Sequence, residues 1–131
     1  MLIEFQLPQP RDSNVGEAYR EVIESLDAVV SRISDWLGPS GTVALESGFT
    51  ANIGTQMSVI VTIPRIGFRD TLFHAYVPST GYPVKLDFFG SYQVPPCNDM
   101  GHLKAMIIAE MNADAVQGRL LVLHQYAQQV A

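Results

Sequence analysis

Charge is scarce in this sequence: Asp, Glu, Lys and Arg make up 16% of its 131 residues, against about 25% in a typical soluble domain. Basic residues are scarcest, with eight Lys and Arg against thirteen Asp and Glu and a formal net charge of −5. Sequence-independent affinity for nucleic acid rests on clustered Lys and Arg that release counterions from phosphates. No nucleic-acid partner is therefore expected. The densest basic pair, Arg65 and Arg69 around one loop, is too small for a duplex footprint and leaves only a local anion contact open.

Cysteine is limited to Cys97, so no intrachain disulfide can form, which points to a reducing compartment. No run of eighteen apolar residues occurs, so no membrane span is expected. The opening Met1-Leu2-Ile3-Glu4-Phe5-Gln6-Leu7 has no basic leader and is broken at Glu4, unlike a signal peptide. A cytoplasmic location is the expectation. Internal repeats, low-complexity tracts and long linkers are also missing, so residues 1–131 read as a single α+β domain.

Apolar residues are plentiful at 47%, enough for one core that buries roughly two-thirds of the unfolded surface. Val15, Tyr19, Val22, Ile23, Leu26, Val30, Ile33 and Leu37 recur at helical spacing, with acidic residues such as Glu17, Glu21, Glu24 and Asp27 left for a solvated face. Ser13 and Asn14 can cap this helix, Glu17 stands in capping-box register with Asn14, and Gly38-Pro39 stops it.

Four strand-like segments follow, Thr42 to Glu46, Met57 to Ile63, Thr71 to Val77 and Tyr82 to Phe89, bounded by Gly, Pro and Asn. They read as an antiparallel meander. Pro64 to Phe68 closes one hairpin, and Pro78-Ser79-Thr80-Gly81 the next, with Gly81 able to take a positive φ. The glycine-bracketed stretch from Gly48 to Gly54 lacks the Gly-Lys-Ser/Thr ending of a phosphate-binding loop and reads as a flexible connection.

After Pro95-Pro96, Asn98-Asp99 can cap a helix bearing Leu103, Met106, Ile107 and Met111 on one side. A break near 112–114 precedes a last segment with Val116, Leu120, Leu123, Tyr126 and Ala127 at helical spacing. Gly118 disfavours a helix interior by about 1 kcal/mol, and 119–124 could alternatively form a fifth strand. Helix is favoured. The expected fold is thus α+β, a long N-terminal helix, a four-stranded antiparallel meander and one or two C-terminal helices packed with it.

Pairing Val77 with Tyr82 would gather Phe73, Ala75, Val77, Tyr82, Val84, Leu86 and Phe88 on a core face. The opposite face would hold Glu46, Ser58, Ile60, Thr62, Leu72, His74, Tyr76, Lys85, Asp87 and Phe89, with His74 across from Lys85 and Leu72 across from Asp87. An imidazole, an amine and a carboxylate so close can bind a polar ligand or move protons. His74, Lys85 and Asp87 are therefore catalytic candidates. The plainer alternative is exposed cross-strand pairs, with Leu72, Tyr76 and Phe89 covered by a helix or a second subunit.

Cys97 is a further candidate, because a thiolate ahead of a helix start is stabilised by backbone amides and the helix dipole. Its neighbours His102, Asp99 and Asn98 invite comparison with a Cys/His pair, although a free cysteine is more often a small buried hydrophobe. His74, His102 and His124 have no metal-ligand spacing, so neither a metal nor a cofactor is expected. Arg65, Phe68 and Arg69 at one hairpin tip, together with Tyr76, are the candidate contacts to a partner or ligand.

Two functional classes remain. The first is a non-catalytic interaction or adaptor module, a homodimer or a binder of another protein, suggested by low charge density and the half-apolar second face. The alternative is a small enzyme or small-molecule-binding protein with a pocket over His74, Lys85 and Asp87.

Overall fold

The computed structural model describes residues 2–7, 14–50, 54–88 and 94–130. Helix α1 spans Asn14–Leu37. It buries Ala18, Val22, Leu26, Ile33 and Leu37 along one stripe, as the 3.6-residue period dictates. Gly38 ends it in a left-handed conformation, φ 78°, its N–H donating to the Ser34 carbonyl at 3.1 Å. The expected cap includes Ser13, which lies outside the described residues.

Strands β1 (Thr42–Thr50), β2 (Gly54–Ile63), β3 (Phe68–Val77) and β4 (Lys85–Asp87) form one antiparallel sheet in the order β1-β2-β3-β4. Helices α2 (Met100–Met111) and α3 (Asp114–Gln129) follow. Among the described residues, three helices and a four-stranded antiparallel meander make an α+β fold. Residues 119–124 belong to α3.

One sheet face and the helices share the core. Met57, Val59, Val61 and Ile63 of β2 and Phe73, Ala75 and Val77 of β3 are essentially inaccessible, and Phe73 stacks on Phe88 with ring centroids 4.4 Å apart. Leu103, Ile107, Val116, Leu120 and Leu123 from α2 and α3 join the same cluster, while α1 packs on β1, α2 and α3. The Asp99 side chain caps α2 by accepting the His102 N–H at 2.8 Å.

Four local expectations need correction. Of the stretch from Gly48 to Gly54, Gly48–Thr50 belong to β1 and Gly54 opens β2, while 51–53 lie outside the described residues. Gly54, at φ 106°, has no room for a side chain, because a Cβ would collide with the Val77 carbonyl oxygen. The last strand is only Lys85–Asp87, and His74 stands opposite Asp87, Ala75 opposite Leu86 and Tyr76 opposite Lys85. That register is two residues from the one expected, so His74 does not face Lys85 nor Leu72 face Asp87. Pro83 cannot donate to a ladder, and Val84 instead exchanges two 2.8 Å hydrogen bonds with Cys97. A slip of two leaves every side chain on its original face.

The fourth correction is a bulge in β3. Val59 pairs with Phe73 but Ile60 with Thr71, leaving Leu72 as an extra residue. Past the bulge, Asp70 stands opposite Val61 on the core face and Arg69 opposite Thr62 on the outer face.

Candidate functional site

The outer face of the sheet carries a polar row across all four strands: Glu46 opposite Ser58, Ser58 opposite His74, and His74 opposite Asp87. The adjacent row is Gly48, Gln56, Tyr76 and Lys85. Strand alternation and the slip-tolerant faces bring His74, Tyr76, Lys85 and Asp87 to this side together.

Side-chain contacts tie the rows into a network. Ser58 Oγ lies 2.6 Å from His74 Nδ1 and Gln56 Nε2 lies 3.0 Å from the same nitrogen; Gln56 Nε2 also donates to Ser58 Oγ at 3.4 Å. With the Gln56 amide donating to Nδ1, that nitrogen is an acceptor and the ring proton sits on Nε2. The Tyr76 ring tilts against the imidazole with centroids 6.0 Å apart. Burial pushes the Tyr76 phenol above its ordinary pKa, and the Asp87 carboxylate adds to the shift by its charge and by accepting a hydrogen bond.

A hydroxyl hydrogen-bonded to an imidazole is the arrangement that activates a nucleophile. Ser58, however, is only 7% exposed. Among the described residues, the aliphatic members of the face are not open either, since Ile60 is 5% and Leu72 1% exposed. Phe89 lies outside the described residues.

Cys97 takes no part in this cluster. It is fully buried, its Sγ is 3.9 Å from the Pro95 carbonyl oxygen, and burial, with the Asp99 charge second, pushes its thiol pKa up. Both effects oppose the thiolate that a position ahead of a helix was expected to favour. His102 Nδ1 accepts the Asn98 N–H at 3.3 Å, so its ring serves the helix start.

The hairpin-tip residues are engaged within the chain. Arg65 donates to the Val130 carbonyl at 2.8 Å, at the end of α3. Arg69 pairs with Glu46 at 2.7 Å, and Phe68 meets Tyr126 edge-on at 5.4 Å.

The feature that sequence reasoning missed lies on the helical side. A cavity of about 410 Å³ opens between α1, α2 and α3, lined by Ile33, Trp36, Ile108, Met111 and Leu121 among others, with Arg32 the sole charged residue. Trp36, Ile108 and Leu121 are 43%, 62% and 63% exposed. Trp36 is also stacked on His124, with ring centroids 4.5 Å apart. A signal was present: Trp36, Ile108 and Leu121 each sit beside a buried stripe residue, which widens the apolar face of each helix. Gln56 was likewise legible as the next outward residue before Ser58.

Among the described residues no group of three or more His, Cys, Asp or Glu could hold a metal ion, and no helix is long and apolar enough to cross a membrane. Comparison with protein-family models, curated proteins and solved structures finds no match.

Proposed function

We propose that this chain is a non-catalytic protein-interaction module that associates with itself through the groove between α1, α2 and α3. The observation that carries this reading is the exposure of Trp36, Ile108 and Leu121 around one concave apolar cavity. Contiguous apolar surface of this kind tends to mark an interface, and a central aromatic in a concave setting is the usual composition of a contact hot spot. The low charge density of the chain agrees. The groove replaces the outer sheet face as the contact surface, because Ile60 and Leu72 are already buried within one chain.

Light scattering across a concentration series tests the reading. The wild-type mass should correspond to two chains and that of Ile108→Asp to one. Ile108 stands open to water, so the change leaves the core intact. An unaltered mass in the variant removes the groove from the interface.

The 2.6 Å contact between Ser58 and His74 supports a second reading, a small-molecule site on the outer face that uses His74, Tyr76 and Asp87. Under that reading a ligand would perturb the His74 ring resonances, and a His74→Ala protein would lose the ligand.

A further inference from the structure

Outside the groove, Phe49 and Ile66 are exposed singly, whereas one segment of the described residues gathers several uncovered apolar side chains. In the segment Leu2–Leu7, the side chains of Leu2, Ile3, Phe5 and Leu7 are 83%, 84%, 73% and 75% exposed. Four large apolar side chains open to water within six residues carry a free-energy cost that a partner surface would relieve.

We propose that the arm Leu2–Leu7 of one copy seats in the groove between α1, α2 and α3 of a second copy, the exchange being reciprocal about a two-fold axis. This inference rests on the self-association reading and names what fills the groove.

Charge and spacing favour this occupant. Glu4 is the arm's single charge and Arg32 the single charge of the groove lining. Arg32 forms no ion pair among the described residues. In an extended arm, Ile3, Phe5 and Leu7 share one side while Glu4 stands on the other. The apolar side can then face the cavity, with Glu4 at its rim beside Arg32.

Reach favours a second copy over the same chain. The groove begins on α1 at Val29, about 22 Å along the helix from Asn14, and runs to Trp36, about 33 Å along. The chain between Leu7 and Asn14, pulled straight, covers at most about 25 Å. That span leaves an arm in its own groove almost no slack to reach even the near edge. An arm from a second copy meets no such limit. A reciprocal exchange also makes each contact twice, as two-fold symmetry requires.

Complementation tests the proposal, using the full chain with any purification tag at its far end. Phe5→Asp spoils the arm and Ile108→Asp the groove, so each variant alone should have the mass of one chain. An equimolar mixture should form a heterodimer, because one intact arm still meets one intact groove. Glu4→Arg and Arg32→Glu should each weaken the dimer about tenfold, as expected for a partly desolvated charge pair, and the double variant should recover.

If Phe5→Asp keeps the wild-type mass while Ile108→Asp lowers it, the groove is the interface and the arm is not its occupant. If the wild type is one chain at every concentration, yet its arm is protected from hydrogen exchange in an Ile108-dependent way, the arm occupies its own groove and the exchange is overturned. If the wild type and every variant have the mass of one chain at all concentrations and the arm is unprotected, the self-association reading falls as well.

Discussion

Asp70 of β3 accepts two hydrogen bonds from the guanidinium of Arg119 in α3, one from Nε at 2.7 Å and one from a terminal nitrogen. The pair exists because of the bulge at Leu72. With regular alternation Asp70 would stand opposite Thr62 on the outer face. The extra residue turns it toward the helices and sends Arg69 outward to Glu46. One irregular residue thus exchanges the faces that two adjacent charges occupy.

The Asp70 side chain is 15% exposed and that of Arg119 40%. The pair therefore falls between an exposed ion pair, which contributes little, and a buried one, whose breakage is severe. Asp70→Asn or Arg119→Met should each lower the unfolding free energy by about 1–3 kcal/mol. The double variant should be much less than additive, measured by urea denaturation in a double-mutant cycle. Full additivity would mean that the two side chains are not coupled.

Two glycines should respond in opposite directions to alanine. Gly118 lies inside α3, and a Cβ placed there would have nothing within 4 Å of it. Gly118→Ala should therefore raise stability by about 0.5–1 kcal/mol through helix propensity. Gly54→Ala meets the Val77 carbonyl at a positive φ and should destabilise by more than about 1 kcal/mol. Thermal denaturation of both variants decides the matter; equal shifts would contradict the tight β2 start.

Alkaline stability should depend on Tyr82. Burial, then the Glu21 charge, then a hydrogen bond from the phenol to Glu21 raise its pKa from 10.0 to about 12. Below pH 10 both folded and unfolded chains keep the proton and the contribution to stability is complete. As pH rises further the unfolded chain ionises first, so stability falls between pH 10 and about 12. Tyr82→Phe should flatten that decline without abolishing it, since Tyr76 is raised in the same direction. Urea midpoints measured across this range provide the test, and parallel curves for the two proteins would refute the Tyr82 assignment.

Legibility in the sequence followed the range of the forces involved. The stripe Val22, Leu26, Ile33 and Leu37 belongs to α1 because residues a turn apart meet on one helix, and the capping Asp99 acts on His102 only three residues away. Alternation assigned Phe73, Ala75 and Val77 to the core and His74 and Tyr76 to the other face. It did so correctly despite a register error, because the error was an even number of residues.

What only the tertiary structure decided were pairings between segments far apart in the chain. Pro83 has no N–H to donate and Val84 bonds to Cys97, so β4 begins only at Lys85, with Asp87, not Lys85, beside His74. The bulge at Leu72 and the groove at Trp36, Ile108 and Leu121 likewise depend on how separate elements meet. Local periodicity sets which residues share a face; long-range hydrogen bonding and packing set which faces and which residues stand together.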